Sequence, residues 1–232
     1  LAHTSQRSRN SRLLSKLCIK ILQRFGPLSS FVVYVIHHLK QCSTQLYMCD
    51  DVKSEVVKFL SGDNSALDCL VVLGFLKAGE PRGRGYVLFK ALKKGLKLSP
   101  YLRNLEWYEF EEFLKHVFSE YGYEVVTNLR YNCNGGVEFD LVAWSREYAL
   151  VIEAKRWKMG GVKWREVASR HREKVEKCVE KLHAFAPSVI PLVVTSTETS
   201  FISDGVPVIS VFKIGSFLSS LDYFIDQVLV FR

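Results

Sequence analysis

The spacing of apolar residues along the chain changes character near residue 100. Before that point, apolar side chains recur at every third or fourth position in short stretches, which is typical of helices that bury one face. Two such helices are predicted between Leu13 and Lys40, and two more at Lys53–Leu60 and Ala66–Lys77. The first residues, 1–11, are polar and basic, and they are predicted to form a disordered tail.

After residue 100 the helical spacing gives way to alternating strands. Apolar residues from Leu105 to Tyr121 fall at helical spacing, and Gly122 ends that helix. Three strands in quick succession then predict an antiparallel meander, with Asn134-Gly135-Gly136 supplying a turn that needs positive φ between the first two. The predicted strands are 123–131, 137–144 and 149–155, and they are followed by a helix at 164–185, strands at 190–195 and 206–211, and a closing helix at 217–230.

The segment 80–90 between these two parts is rich in glycine and arginine and runs into an apolar stretch. This composition predicts a turn that leads into a strand. Helices followed by a β-hairpin of this kind resemble a winged helix, in which the last helix enters the DNA major groove and the β wing touches the backbone. The resemblance implies phosphate or minor-groove contacts for Arg82 and Arg84, and Lys93 and Lys94 add charge nearby. Residues 12–99 are therefore interpreted as a winged-helix-like DNA-binding domain, with a solvated surface turn or a protein-binding winged helix as the alternative.

Charge is distributed unevenly over the 232 residues, whose formal net charge is +8. Residues 1–99 contain 16 Lys and Arg against 6 Asp and Glu, whereas residues 100–232 contain 16 against 18. Basic side chains gain affinity for nucleic acid by releasing counterions from phosphates, so the basic half indicates a polyanion partner. A basic surface that serves only solubility is the alternative.

The cysteines and the lengths of the apolar runs indicate in which cellular compartment the protein is expected. The six cysteines form no Cys-x-x-Cys pair and have no His at zinc-ligand spacing, so most are expected to be core thiols. A disulfide between Cys42 and Cys49 is left open for a compartment that permits it. No apolar run approaches the roughly 20 residues that cross a bilayer. We expect no signal peptide, no membrane association and a cytoplasmic location.

Asp140, Glu153 and Lys155 interrupt two otherwise apolar strands. A strand points alternate side chains to one face, so Glu153 and Lys155 project together from the run Leu150 to Ala154. Burying a carboxylate and an ammonium is costly unless they pair, bind a metal or line a wet cleft. Phosphodiester hydrolysis needs a hard cation held by carboxylates and an ammonium beside the phosphate, so the pattern indicates a metal-dependent nuclease.

The order of these motifs resembles the PD-(D/E)xK nuclease superfamily, and within it the Mrr-type restriction endonucleases and their archaeal Holliday-junction resolvase relatives. The resemblance is carried by Phe110-Glu111 before Gly122-Tyr123-Glu124-Val125, by Val137-Glu138-Phe139-Asp140, and by Ile152-Glu153-Ala154-Lys155-Arg156. It implies an α/β fold, a restriction-endonuclease-like mixed sheet flanked by helices with an α-β-β-β-α-β core, over residues 100–232. Phe139 departs from the family pattern, which has Pro there.

The resemblance also implies the roles of individual residues. Asp140 would be the bridging ligand of Mg²⁺ or Mn²⁺, Glu153 the second carboxylate, Glu111 the helix acid of the same site and the Ala154 carbonyl an extra ligand. Lys155 would position or activate the attacking water. Three other acids compete for these roles: Glu109, Glu112 and Glu138.

A basic region flanks this site and begins with Arg156 and Lys158, which are predicted to contact nucleic acid. On the helix that follows, such residues are equally consistent with a solvated face carrying i,i+4 ion pairs. The histidines of this half, His171 among them, are expected at the surface or at helix caps. The four tryptophans, Trp107 among them, could stack on an unpaired base, although packing in a core or a cleft wall is expected for each.

Together these observations predict a two-domain DNA endonuclease that depends on Mg²⁺ or Mn²⁺. The resemblance also implies a homodimer, because two strands are usually cut by two sites. Three alternatives stay open: a structure-selective nuclease acting on branched DNA, a non-catalytic DNA-binding protein on a nuclease scaffold, and an RNA nuclease.

Overall fold

The computed structural model describes residues 49–133, 135–156 and 163–232. The chain divides into two compact units: residues 1–55 with 65–78, and residues 56–64 with 79–232. This division comes before the boundary at residue 99 that the sequence predicted. The predicted tail and the first two predicted helices lie outside the described residues.

The first unit contains the start of helix α1 (Val52–Leu60) and helix α2 (Ala66–Val72). The carboxylate of Asp51 accepts hydrogen bonds from the amides of Lys53 and Ser54, at 2.9 and 3.2 Å, and so begins α1. Helix α2 ends earlier than predicted, and Gly74, two residues after it, has a φ of +70° that no helix continues.

The predicted β wing is wrong, because its apolar segment forms helix α3 (Arg84–Lys93). Val87, Leu88 and Ala91 are fully buried, and their spacing gives a helix one apolar face. The segment was mistaken for a strand because a short apolar run carries no clear period of its own. The segment that was expected to form the wing of a winged helix is therefore a helix.

A close approach of backbones joins α3 to helix α4 (Trp107–Glu120), which follows a 3₁₀ helix at Ser99–Arg103. A Cβ atom at Gly85 would lie 2.2 Å from the carbonyl oxygen of Glu109 and 2.9 Å from the amide nitrogen of Phe113. Only glycine allows this approach. The predicted helix ending at Gly122 is confirmed, and Gly122 has the positive φ of a helix stop.

Six strands form one mixed sheet in the order β1-β2-β3-β4-β6-β5. The first three strands pair antiparallel as the predicted meander, and β4 and β6 continue the sheet in parallel with β3. Strand β5 was not predicted, since three residues give no readable alternation. The strands are β1 (Glu124–Asn132), β2 (Gly136–Trp144), β3 (Tyr148–Lys155), β4 (Ser188–Thr195), β5 (Phe201–Ser203) and β6 (Val206–Ser210).

Helix α5 (Trp164–Leu182) packs on the sheet and closes the core. Its buried row includes Val175, Cys178 and Leu182, which contact the buried Val151 of β3 and its neighbours. Strands β3 and β4 are buried along most of their length, which is usual for central strands covered on both faces. The predicted α/β class, with a mixed sheet flanked by helices, is confirmed.

The chain end differs from the single closing helix that was predicted. Helix α6 (Ile214–Ser219), helix α7 (Leu221–Phe224) and a 3₁₀ turn (Ile225–Gln227) replace it. The chain then returns to the sheet, where Phe231 and Val189 exchange two backbone hydrogen bonds of 2.9 Å.

Four of the cysteines form disulfides, which corrects the expectation of core thiols. Cys49 bonds to Cys69 in the first unit, and Cys133 to Cys178 between the end of β1 and α5. Cys49 is therefore not bonded to Cys42, which lies outside the described residues. Disulfides persist mainly in oxidising compartments, so these bonds weigh against the predicted cytoplasmic location, which stays a prediction. In the part of the chain that is described, no helix is both long and apolar enough to span a membrane.

We predict that Gly85→Ala lowers the melting temperature, because the added methyl group meets backbone atoms that cannot move aside. Alanine for glycine within a helix normally stabilises by about 0.5–1 kcal/mol, so the expected loss of about 1–3 kcal/mol has the opposite sign. Gly83→Ala is the matched control, because the three atoms nearest to its methyl group belong to the carboxylate of Glu112, a flexible side chain that can turn aside. Calorimetry that gave Gly85→Ala the higher melting temperature would refute the close approach.

Candidate active site

The meander brings Asp140 of β2 beside β3. Leu141 pairs with Ile152 and Val142 with Val151, so Asp140 lies next to this ladder on one strand and Glu153 on the other. The amide of Ala154 donates a 2.7 Å hydrogen bond to Oδ2 of Asp140. Backbone pairing and this bond together fix the carboxylate of Asp140 against β3.

Glu153 and Lys155 project from the same face of β3, as the alternation predicted. The Nζ atom of Lys155 lies 2.5 Å from Oε1 of Glu153. The Glu153 side chain is 14% exposed and that of Lys155 is 31% exposed. The two charges are thus held together at the partly open carboxyl end of the interior strand β3.

Glu111 of α4 is the helix acid that faces these strand residues. It is buried, and it is repelled by Asp140, Glu138 and Glu153. Of its competitors on the same helix, Glu109 binds Arg84, and Glu112 accepts a hydrogen bond from an amide at the start of α3.

Glu138, the competitor on β2, pairs instead with Arg130 of β1, with 2.8 Å between Nε and Oε2. Its carboxylate still contributes to the negative potential at Glu111. The structure therefore brings Glu111, Asp140, Glu153 and Lys155 into one neighbourhood, and their catalytic roles stay predictions.

The pKa values of the three acids separate them into two kinds. Burial, followed by repulsion from the other carboxylates, raises the pKa of Glu111 to about 7. Burial and repulsion from Glu153 also raise the pKa of Asp140, against the opposing hydrogen bond from Ala154. Burial opposes ionisation of Glu153 too, but His171, Lys155 and Lys174 outweigh it and hold its pKa well below the ordinary value. Nearby cations therefore outweigh burial at Glu153, whereas at Glu111 and Asp140 burial and repulsion outweigh the nearby lysines.

Helix α5 supplies two residues whose place in the site was missed. Lys174 Nζ lies 2.8 Å from Oε2 of Glu153, and His171 Nδ1 lies 3.6 Å from the same oxygen, which is longer than a hydrogen bond. The Nε2 atom of His171 lies 2.8 Å from the carbonyl oxygen of Val151. The expectation of a surface or cap His171 is wrong, since it is buried. Its position three residues after the buried Ala168, on the apolar face, was the available signal.

Residues 102–199 match the family model Mrr_cat, described as "Restriction endonuclease". These residues form a restriction-endonuclease-like domain of the PD-(D/E)xK superfamily. The match spans α4, the meander, α5 and β4, and so includes every residue of the site described above. The resemblance to this superfamily, drawn from the sequence motifs, is confirmed over this part of the chain.

A solved structure is similar to the chain only in part. It is titled "Crystal Structure of Protein of Unknown Function AF1548", and it has 20% sequence identity over 54% of this chain and 80% of the other. The TM-score is 0.36, which is too low a structural similarity to support an inference about this chain. No curated protein matches the chain significantly.

The restriction-endonuclease-like domain offers oxygen donors that suit a hard divalent cation. Among the described residues, no three His, Cys, Asp or Glu side chains are already grouped as a metal site. The residues nevertheless fit such an ion, because a cation between Glu111 and Asp140 would offset the repulsion that raises both of their pKa values. Glu153 would join them by giving up part of its contact with the two lysines.

The residues predicted to bind nucleic acid are different residues from those of this cluster, and the described ones differ from one another in their surroundings. Arg84 forms two 2.7 Å hydrogen bonds with the carboxylate of Glu109, so a contact with DNA would compete with this pair. Lys93 pairs with Glu120 at 2.5 Å. Arg82 and Lys94 are exposed, Arg156 lines a pocket beside the site, and Lys158 lies outside the described residues.

We predict that Glu111→Gln stabilises the metal-free protein at high pH and not at low pH. Because the pKa of Glu111 is raised in the folded state, wild-type stability falls as pH rises from about 4.5 to about 7, where the acid must ionise. The glutamine variant escapes this loss, which is at most about 3 kcal/mol. Urea unfolding at about pH 4 and about pH 8 measures the difference.

Glu120→Gln is the control on the same helix, because it removes an exposed ion pair worth less than about 1 kcal/mol. Parallel stability profiles of Glu111→Gln and wild type across this pH range would contradict the electrostatic description of the site.

Proposed function

We propose that this protein is an endonuclease that hydrolyses DNA phosphodiester bonds with Mg²⁺ or Mn²⁺. Restriction-endonuclease-like domains generally use divalent metals and act on DNA, which supports both parts of the proposal. The observation that carries it is the pair of uncompensated acids, Glu111 and Asp140, beside a third acid that two lysines hold ionised.

In the proposed reaction, Asp140, Glu111 and Glu153 would hold the cation, and the carbonyl of Ala154 would be an additional donor. When bound, the cation screens the phosphate and lowers the pKa of the attacking water. Lys155, which projects beside Glu153, orients that water and offsets charge on the phosphate. Lys174 keeps Glu153 ionised, so that its carboxylate is ready to bind without first losing a proton.

The non-catalytic alternative explains these charges less well. An idle scaffold has no need to gather three acids and two lysines around the carboxyl end of β3, where each charge loses hydration. Restriction, DNA processing and action on branched DNA all use the same chemistry, so the substrate must separate them.

We predict that DNA cleavage requires Mg²⁺ or Mn²⁺ and that Asp140→Asn lowers its rate by about two orders of magnitude or more. A labelled panel of linear duplex, methylated duplex, single strand, four-way junction and RNA, with and without metal, measures this and identifies the substrate. The matched control is Asp204→Asn, an exposed aspartate with a φ of 49° in the turn between β5 and β6, where asparagine is also tolerated.

Equal DNA binding by wild type and Asp140→Asn, with no cleavage of any member of the panel, would contradict the proposal. The protein would then be a DNA-binding protein on a nuclease scaffold. Cleavage of RNA alone would make it an RNA nuclease.

A further inference from the structure

A pocket of about 230 Å³ opens beside the candidate active site. It shares Glu111 and Lys155 with that site, so a group bound in it would lie next to the reacting phosphate. It is lined by Trp107, Phe110, Glu111, Ala154, Lys155 and Arg156. A pocket of this size is small beside those that bind drug-sized molecules, and it suits a single planar group.

Trp107 lines this pocket and is 61% exposed, so of the two expected positions, a core or a cleft wall, it does not occupy the core. An indole so exposed does not contribute the folding free energy that a large apolar side chain gains when it is buried. Its backbone is nevertheless held in place. Trp107 is the first residue of α4, whose start is held by the reciprocal hydrogen bonds of Glu106 and Glu109, and Glu109 is held in turn by Arg84.

Tyr108, 55% exposed, contacts the indole ring. The two ring centroids lie 5.7 Å apart with an interplanar angle of 87°, an edge-to-face contact in which this neighbour can cover at most one face of the indole ring. A flat aromatic face is thus presented on a rigid helix start beside the pocket, which is a preorganised stacking surface.

Arg156, which lines the same pocket, has a hydrogen-bond donor without a partner. Its Nε atom is buried and has no hydrogen-bond partner among the described residues. Its other guanidinium nitrogens lie 3.1 Å from the carbonyl oxygen of Arg103 and 3.7 Å from Glu106. A buried donor without a partner costs free energy, which a small shift of the guanidinium toward a ligand oxygen in the pocket would recover.

We propose that this pocket is a base-stacking subsite, in which Trp107 stacks on an unpaired nucleotide base next to the scissile phosphate. Bases inside a duplex are already stacked on both faces, so only a base outside the stack can lie on the indole. Arg156 then donates to an oxygen of that nucleotide. The preferred substrate is DNA with an unpaired nucleotide at the cleavage position, and uninterrupted duplex is disfavoured. The inference rests on the proposed nuclease function.

Binding tests this subsite separately from cleavage. The Asp140→Asn protein, without metal and in about 0.2 M salt to weaken non-specific phosphate contacts, is titrated with three labelled DNAs: a short single strand, a duplex with one unpaired base and an intact duplex. Trp107→Ala is expected to weaken binding of the first two by roughly tenfold or more, whereas Trp107→Phe, which keeps an aromatic face, restores it. Binding of the intact duplex is expected to stay unchanged.

Two controls separate stacking on Trp107 from a general loss of aromatic surface and from a loss of folding. Tyr223→Ala removes an aromatic ring that is 85% exposed on α7, and it tests whether any exposed ring would serve. Melting temperatures show whether Trp107→Ala is folded, which its exposure leads us to expect.

Equal losses for single-stranded and duplex DNA, no loss for either, or an equal loss in Tyr223→Ala would overturn the subsite. A Trp107→Phe variant as weak as Trp107→Ala would overturn it as well. If no DNA is cut by the metal-loaded wild type, the nuclease function fails, but the binding ratios still decide whether Trp107 reads an unpaired base.

Discussion

The repulsion between carboxylates gathered around the carboxyl end of β3 is the constraint on which this site depends. Glu153 is tolerated there because Lys155 and Lys174 contact its carboxylate, at 2.5 and 2.8 Å. Glu111 and Asp140 have no comparable cation beside them among the described residues, and both pKa values are raised. Binding of the proposed cation would relieve this repulsion between the two carboxylates.

The rest of the fold keeps those acids in place. The β2–β3 ladder and the amide of Ala154 fix Asp140, and the pleat of β3 sends Glu153 and Lys155 to one face. Glu111 depends on α4, whose start is stabilised by Arg84 and whose side is met by α3 through glycine contacts. Helix α5, tied to the end of β1 by the Cys133–Cys178 disulfide, presents Lys174.

Patterns with a clear period and local stop signals allowed most of the restriction-endonuclease-like domain to be predicted. The meander, α5 and β4 were predicted within a few residues, since each combines alternation or helical spacing with glycine turns. The wing failed because a short apolar run at Tyr86–Phe89 has no period that separates strand from helix. Lys174 and His171 could not be placed, because contacts across twenty residues depend on how α5 lies on the sheet. Disulfide partners are likewise set by tertiary proximity.

The most direct test of this charge balance is calorimetric titration of the full chain with Mn²⁺ in buffers of different ionisation enthalpy. We expect saturable binding that releases close to one proton at about pH 6, where Glu111 is mostly protonated, and almost none at about pH 8. Asp140→Asn is expected to weaken this binding strongly. Binding that releases no proton at either pH, or that is indifferent to Asp140→Asn, would contradict the conclusion that a cation balances these acids.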